Sequence, residues 1–360
     1  MPRELQPFHL ITRIPKALFT NDSSAAHAGL CYDAETDELF VAAPGSRTLS
    51  AQCPTATDSP PRPVYTAQAS AQPSSVCLVR HTGTLLVANF AEENRMGKVG
   101  FLLVSLSHDP QQWRQQSDLQ LSIEMDVSCV SSTLCELANA TVLFGARWSA
   151  QLLILQLTKT HRLTLLRQLQ TPEKYFCVSA TVLNGRILIA LASTTSPVCT
   201  VSVSELVNDQ LIHLSHSKPH VDYILFGAIL WAGEHLLVSE CETTQQGTET
   251  AVMELNRHCP CCVSDFASPL SLGSQLLTPD AGISVATWCA DGERVCVWDY
   301  NSNDILVYSV CWARHSSRSR AAPLAPFHFS FSYLPPTGTS IAYSRRSLGC
   351  SFYQRICRIY

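Results

Sequence analysis

Charged side chains are scarce in this chain, and long apolar runs are missing. Asp, Glu, Lys and Arg make up 15% of the 360 residues, whereas apolar residues make up 46%. This composition opposes global disorder and allows a large buried core. No apolar run reaches the roughly 18 residues that a membrane-spanning helix needs, and the N-terminus lacks a charged start followed by an apolar core. These absences predict a cytoplasmic or nuclear protein with no membrane partner.

Motifs of familiar catalytic chemistry are also missing. The chain has no Gly-x-Ser-x-Gly elbow, no phosphate-cradling glycine loop, no dinucleotide fingerprint and no His-Glu-x-x-His spacing. The densest group of soft ligands is His258-Cys259-Pro260-Cys261-Cys262. It supplies one half of a zinc site, because structural zinc takes two separated ligand pairs, and Cys241 or Cys289 would have to supply the rest. We therefore predict no catalytic residue, no metal and no cofactor.

The 16 cysteines do not have the distribution of a disulfide framework. They are spread over a long chain, and several lie inside apolar runs, where buried thiols are common. Free core thiols are therefore predicted at the following positions: Cys77, Cys129, Cys177, Cys289 and Cys296.

The clearest local pattern is present in residues 281–310. Three short apolar runs, at residues 283–289, 294–300 and 305–310, are separated by Asp291-Gly292 and by Asn301-Ser302-Asn303. Asp-Gly between two such runs is a strong hairpin signal, because both turn residues tolerate positive φ. The segment is predicted to form a three-stranded antiparallel meander.

The same unit recurs along the chain. Seven tight turns each precede a short apolar strand, and these strands begin 45–59 residues apart at Leu39, Leu85, Val142, Ile187, Leu236, Val295 and Ile341. Further apolar runs, such as residues 163–167 and 176–183, supply the other strands. Repeats of this length are typical of β-propellers.

The predicted fold is therefore all-β, a propeller of about seven four-stranded blades, with six as the alternative. The N-terminal run at residues 8–14 is predicted to add the outer strand to the blade made by the C-terminus and so close the ring. Residues 1–360 are treated as one domain, in which residues 313–360 form either a basic last blade or a partly disordered tail.

The segment around Trp298-Asp299 resembles the end of a WD repeat. That resemblance implies a non-catalytic scaffold or adaptor that presents its loops to partner proteins. The chain departs from the family pattern in two ways. The Trp-Asp pair occurs once instead of in every repeat, and no unit opens with Gly-His. Asn301 stands where substrate receptors of cullin ligases carry arginine, which weakens that particular role.

Two enzyme families with propeller folds provide the alternatives. Arg13-Ile14-Pro15 is similar to the Arg-Ile-Pro segment of sialidases, but the repeated Asp boxes of those enzymes are missing. Metal-dependent lactonases gather acidic side chains in the central channel, and Asp33, Asp126 and Asp222 are the candidates here. A lactonase-like hydrolase is therefore kept as the alternative function.

The two ends of the chain differ in charge. Residues 313–360 contain seven arginines and no Asp, Glu or Lys, whereas the preceding residues carry 18 basic against 29 acidic side chains. Arginine grips carboxylates and phosphates bidentately, so the predicted partner-binding residues are Arg345, Arg346, Arg355 and Arg358. An acidic protein is the predicted partner, and nucleic acid or a plain solvent-facing surface are the alternatives.

Overall fold

The computed structural model describes residues 5–20, 28–56, 59–67, 71–91, 98–106, 114–115, 121–125, 132–195, 198–216, 229–232, 235–244, 247–255, 272–275, 285–290, 294–299 and 304–312. The chain divides into two compact units. One contains Leu5–Cys311, and the other contains Met1–Glu4 and Trp312–Tyr360, of which the structure describes Trp312. The strands described below belong to the first unit, except that the last of them ends at Trp312.

The described residues form antiparallel β-sheets and contain no α-helix, as predicted. Strand β1 spans Leu5–Pro15 and runs into a short 3-10 turn at Lys16–Leu18. No helix in the described ranges is long and apolar enough to cross a membrane.

In the first two sheets, most strands pair with the strand that follows them in sequence. Sheet one contains β2 (Gly29–Asp33), β3 (Glu38–Ala43), β4 (Thr48–Gln52) and β5 (Arg62–Thr66). Sheet two contains β6 (Ala71–Val79), β7 (Thr84–Ala91), β8 (Lys98–Ser105), the short β9 (Arg114–Gln115) and β10 (Leu121–Glu124). A second 3-10 turn, Arg80–Thr82, joins β6 to β7.

A seven-stranded sheet follows. It contains β11 (Ser132–Glu136), β12 (Thr141–Ala146), β13 (Ser149–Leu157), β14 (Leu163–Leu183), β15 (Arg186–Thr195), β16 (Val198–Val207) and β17 (Gln210–His216). Strand β14 belongs to two ladders: residues 163–170 pair with β13, residues 177–183 pair with β15, and Tyr175 pairs with a residue of each. The sheet is therefore two four-stranded groups that share one long strand.

Two four-stranded sheets complete the described part of the chain. The first contains β18 (Ile229–Ala232), β19 (His235–Thr244), β20 (Gly247–Leu255) and β21 (Leu272–Gln275). The last contains β22 (Val285–Ala290), β23 (Arg294–Asp299), β24 (Asp304–Trp312) and the N-terminal β1, which pairs with β24. The meander predicted for residues 281–310 is thus confirmed.

The predicted repeat is present in every described group. Each of six predicted positions is the second residue of the second strand in its group: Leu39, Leu85, Val142, Ile187, Leu236 and Val295. The turn chemistry agrees with the prediction where the structure describes it, since Asp37, Gly83 and Gly185 have φ angles of 54°, 60° and 77°. The seventh predicted position, Ile341, lies outside the described residues.

The partner of the N-terminal strand differs from the predicted one. We expected the run at residues 8–14 to join a blade formed by the C-terminal residues, but β1 pairs with β24. Contacts between side chains accompany this pairing, including one between Arg13 Nη1 and Asp304 Oδ2 at 3.7 Å. Residues 313–360, to which the last blade was assigned, are outside the described part of the chain.

The core consists of apolar clusters that lie between neighbouring groups of strands. One cluster joins the second group to the third, where Phe101 and Phe144 are fully buried and pack edge to face with ring centroids 5.0 Å apart. Another joins the last group to the first through Trp298, Val307, Leu39 and Val41. Side chains of the central strands are buried on both faces, so the charged fraction of the chain can be low.

Candidate functional sites: a central cavity and an open strand edge

The first strands of the six groups surround one cavity of about 240 Å³. We call these strands the inner strands: β2, β6, β11, residues 175–183 of β14, β18 and β22. Each contributes lining residues, among them Cys31, Cys77, Cys135, Trp231 and Cys289. The cavity therefore depends on the arrangement of the whole described unit.

Thiols from neighbouring inner strands line this cavity, and each contacts the backbone of the next inner strand. The N–H of Leu78 on β6 donates to Cys31 Sγ on β2 at 3.2 Å. The Cys77 thiol hydrogen-bonds with the backbone of Glu136, and the Cys135 thiol with that of Ala180. Because inner strands belong to different ladders, these contacts link backbones that no ladder joins.

Burial makes these thiols weak acids. Burial raises the pKa of Cys31 to about 12 and that of Cys135 to about 11, and it raises the pKa of Cys77 well above its ordinary value. The thiols are therefore protonated at neutral pH and are poor nucleophiles, since the thiolate is the reactive form. All three are free of disulfides, as are Cys177, Cys289 and Cys296, which the sequence also predicted. Cys129 lies outside the described residues.

Four of the cysteines occupy equivalent positions in their groups. Each pairs with the residue that follows the first apolar residue of the second strand: Cys31 with Phe40, Cys77 with Leu86, Cys135 with Leu143 and Cys289 with Cys296. The sequence contained this signal, since each cysteine precedes its repeat position by 6–8 residues.

Charged residues line one part of the cavity. Glu136 Oε1 accepts a hydrogen bond from the backbone N–H of Arg80 at 2.8 Å, so the carboxylate caps the turn after β6. Burial raises the pKa of Glu136, although the hydrogen bonds from Arg80 and His81 oppose that shift. A carboxyl group with a raised pKa can act as a proton donor or acceptor.

Of the three acids that the lactonase alternative named, the structure describes Asp33. Asp33 stabilises its own turn, because Oδ1 accepts the N–H of Glu35 at 3.1 Å and Oδ2 accepts the hydroxyl of Thr36 at 2.8 Å. Asp126 and Asp222 lie outside the described ranges, as do His258, Cys259 and Cys261. Within those ranges, His, Cys, Asp and Glu form no group of three that could hold a metal ion.

The predicted partner-binding arginines remain a prediction. Arg345, Arg346, Arg355 and Arg358 all lie outside the residues that the structure describes.

A second candidate site, which the sequence reasoning missed, is the outer edge of β14. Residues 164–170 lie along β13 on one side, and no described strand pairs with their other side. Leu165 and Leu166 are 38% and 41% exposed there, and Ile212 on β17 is 46% exposed. We call residues 164–170 the open edge.

Basic side chains accompany the open edge. Residues 159–170 include Lys159, Arg162 and Arg167 and no acidic residue, although the whole chain has a net charge of −4. Arg167 Nε donates to Asp209 Oδ2 at 2.7 Å, and both side chains are more than half exposed. Such exposed ion pairs contribute little stability, so breaking the pair between Arg167 and Asp209 costs little free energy.

Comparison with known proteins provides a fold and no family. No protein-family description matches the chain, and no curated protein matches it in sequence. Among solved structures, Kuenenia stuttgartiensis hydrazine synthase is 11% identical with a TM-score of 0.51, and the match covers 78% of each chain. A protein from Lactobacillus plantarum is 13% identical with a TM-score of 0.51, covering 79% of this chain and 83% of that one. This chain has a β-propeller fold.

At these identities the likeness shows the propeller fold alone. A chain in the crystal structure of a mitotic checkpoint complex also matches, at 10% identity, with 84% of this chain and 95% of that one covered and a TM-score of 0.48. The predicted propeller fold is confirmed, whereas its blade count and membership of the WD-repeat family stay predictions.

Proposed function

We propose that this propeller is a non-catalytic scaffold of the WD-repeat type that binds partner proteins, and that it has six blades. In this arrangement the six groups of strands are the blades, and the pairing of β1 with β24 closes the ring. Closure by a strand from the opposite end of the chain ties the first blade to the last.

The observation that carries the proposed function is the open edge. Leu165 and Leu166 are large apolar side chains that remain 38% and 41% exposed on a strand segment for which β13 is the one described partner strand. Exposed edges tend to pair with other chains, and proteins usually shield them. An edge that instead presents exposed leucines has a property of protein-binding surfaces.

The test compares the two exposed leucines of the open edge with an exposed leucine elsewhere. The tagged full chain, the Leu165→Ser/Leu166→Ser variant and the Leu18→Ser control are used to capture proteins from cell extract. Leu18 is 41% exposed and lies in the 3-10 turn after β1, away from the open edge in sequence. We expect the double variant to lose partners that the control retains. Equal capture by all three folded proteins would contradict this site.

The basic C-terminal residues provide a second surface for the same function. We expect that replacing Arg345 and Arg346 with Glu weakens capture of an acidic partner and reduces its salt dependence, because arginine pairs with carboxylates. Binding that is unaffected by this charge reversal would argue against the surface. A nucleic-acid partner would instead show binding that falls steeply with salt.

A propeller hydrolase of the lactonase type is the second candidate function. The observation that favours it is the central cavity, where Arg80 and the carboxyl group of Glu136 are lining residues. The test is elemental analysis of the purified full chain for calcium and zinc, together with lactone hydrolysis before and after chelation. Stoichiometric metal with chelator-sensitive hydrolysis would favour this candidate over the scaffold.

A further inference from the structure

One stretch of the cavity wall contains a positive and a negative group side by side. Arg80 begins the turn after β6, Glu136 ends β11, and both residues line the cavity. Glu136 Oε1 accepts the backbone N–H of Arg80 at 2.8 Å, so the two residues are held next to each other. The Arg80 side chain is exposed, and its guanidinium forms no ion pair or hydrogen bond with any residue that the structure describes.

The two charges interact without touching. Burial raises the pKa of Glu136, whereas the hydrogen bond from the Arg80 N–H and the charge of its guanidinium lower that pKa. The guanidinium therefore lies near the carboxyl group, although it forms no ion pair with it. A guanidinium binds a carboxylate through two parallel hydrogen bonds, and a carboxylate accepts hydrogen bonds from an ammonium group. Each of the two groups is thus free to take the opposite charge of a ligand.

Another part of the wall contains an unsatisfied donor. Trp231 on β18 lines the cavity and pairs with Leu236, a repeat position. Glu136 occupies the equivalent place in its own group, where it pairs with Val142, so Trp231 and Glu136 lie at similar depths. The indole N–H of Trp231 is buried and has no acceptor in the described part of the chain. Such a donor is costly, and a rotation of the indole toward a ligand oxygen would satisfy it.

The remaining wall is largely apolar and limits the size of a ligand. Leu134, Phe176 and Val178 are buried lining residues, and Leu230 adds a further aliphatic side chain. The cavity of about 240 Å³ is smaller than the roughly 300–1,000 Å³ of pockets that take drug-sized molecules. It therefore suits a small molecule that has one apolar part beside its polar groups.

We infer that the central cavity binds a free α-amino acid with an apolar side chain. Arg80 and the indole N–H of Trp231 donate to its carboxylate, Glu136 accepts from its ammonium group, and its side chain packs against the apolar wall. An amino acid carries both charges on one carbon atom, which matches the adjacent opposite charges of Arg80 and Glu136. The site lies in the cavity rather than at the open edge, so this binding goes beyond the proposed scaffold function.

The test uses the full chain with leucine as the probe and isothermal titration calorimetry as the measurement. We expect leucine to bind with a Kd of about 1 mM or below. N-acetylleucine lacks the ammonium charge and leucinamide lacks the carboxylate, so each should bind about tenfold or more weakly, because one charge of the site is left without its partner. Glycine, which has both charges and no side chain, should also bind about tenfold more weakly, since it buries no apolar surface.

Matched variants locate the site. Arg80→Gln and Glu136→Gln should each weaken leucine binding about tenfold or more, equivalent to about 1.4 kcal/mol. Arg80→Gln should leave the weak binding of leucinamide unchanged, because that analogue has no carboxylate to lose a partner. Arg162→Gln is the control, since Arg162 is also exposed but lies next to the open edge, and it should change leucine binding less than about twofold.

Tryptophan fluorescence provides an independent readout. Leucine should change the fluorescence of the unmodified chain, because the indole of Trp231 contacts the ligand. Trp231→Phe keeps an aromatic wall without the N–H, so it should remove that change and weaken binding about threefold or more. A full fluorescence change in Trp231→Phe would place the ligand elsewhere.

The outcomes are decisive in both directions. No binding of leucine, or equal binding of leucine and both charge-lacking analogues, would overturn the inference, as would normal leucine binding by Arg80→Gln or Glu136→Gln. If Glu136→Gln does not fold, the comparison of leucine with N-acetylleucine in the unmodified chain decides. Failure here leaves the scaffold untouched, because its test is the capture of proteins by Leu165→Ser/Leu166→Ser.

Discussion

The joins between neighbouring blades differ in chemistry. From the first blade to the fourth, thiols contact the next inner strand: Cys31 meets Leu78, Cys77 meets Glu136, and Cys135 meets Ala180. These contacts lie beside buried apolar clusters, and the Glu136 carboxyl group lies near the second of them. Consecutive blades are also joined by the chain itself, so weak, closely packed contacts are sufficient there.

An ionic contact joins the last described blade, which contains β23, to the first, and we call it the clasp. Asp37 on the first hairpin accepts hydrogen bonds from Arg294 on β23, from the Tyr32 hydroxyl at 2.7 Å and from the Thr55 hydroxyl at 2.9 Å. The Arg294 guanidinium also lies 5.2 Å from the centre of the Tyr32 ring. Asp37 and Arg294 are 257 positions apart in sequence, so directional contacts hold together blades that are distant along the chain.

The largest effect should come from closing the space between the first two inner strands. A Cβ at Gly29 would overlap the backbone of Ser75 and lie 2.8 Å from the carbonyl oxygen of Ser74. We expect Gly29→Ala to lower the free energy of unfolding by about 3 kcal/mol or more, because backbone atoms cannot move aside as a flexible side chain can. Urea denaturation followed by tryptophan fluorescence measures this.

Gly83→Ala is the control for that substitution. A Cβ at Gly83 has nothing within 4 Å, and only the φ angle of 60° opposes it, which should cost about 1 kcal/mol. Equal losses in the two variants would mean that the inner strands are not in close contact at Gly29.

The clasp should have the next largest effect. Arg294→Met and Asp37→Asn should each lower the free energy of unfolding by about 1–2 kcal/mol, since hydrogen bonds to charged groups are lost while both sites remain partly exposed. A double-mutant cycle should give a coupling energy of about 1 kcal/mol. Additive losses would indicate that the two residues act independently and that the last join is not a clasp.

The clasp also has a defined pH dependence. Burial tends to raise the pKa of Asp37, but the hydrogen bonds from Tyr32 and Thr55 and the charge of Arg294 outweigh it and hold that pKa below 3.8. The folded protein therefore binds fewer protons at this site than the unfolded chain, and the stabilisation is complete at neutral pH. It should decline as the pH falls below 3.8, and Asp37→Asn should remove that part of the decline.

The thiol contacts should have smaller effects. Cys31→Ala should lower the free energy of unfolding by about 1 kcal/mol, from a lost weak hydrogen bond and a small cavity. Cys31→Ser is the matched comparison, because a serine hydroxyl can still accept the N–H of Leu78 that the thiol accepts. A loss in Cys31→Ser equal to that in Cys31→Ala would mean that the bond from Leu78 adds nothing to this join.

The repeat could be predicted from sequence because turn chemistry is local. Positive φ at Asp37 or Gly185 depends on the residue itself, and the adjoining apolar runs determine the strands. The length of β14 could not be predicted in this way, since Pro172 separates its two runs. The proline is accommodated because residues 171–174 have no partner in the pairing of β14 with β13 or with β15, so no ladder hydrogen bond is lost there.

The candidate sites were harder to predict than the fold. An apolar run that contains Cys31 or Cys135 predicts burial but does not indicate which backbone the thiol meets, because that neighbour belongs to another repeat. The open edge of β14 is likewise a property of how blades are arranged, and Leu165 and Leu166 read locally as ordinary core residues. The local signal for the cavity was the equivalent position of four cysteines in their repeats. That signal identifies lining residues only when the inner strands are known to surround a common cavity.

The smallest predicted effect concerns Glu136, where a thiol join meets a buried charge. Burial raises the pKa of this carboxyl group, so the folded protein holds the proton more tightly than the unfolded chain does. Stability from this group is therefore fully present below about 4.5 and is lost as the pH rises through the higher folded pKa. Glu136→Gln should flatten this part of the stability–pH profile and change the free energy of unfolding at pH 7 by less than about 1 kcal/mol. A large loss at pH 7 would instead mean that the ionised carboxylate, through its bond to the Arg80 N–H, is essential to the join between the second and third blades.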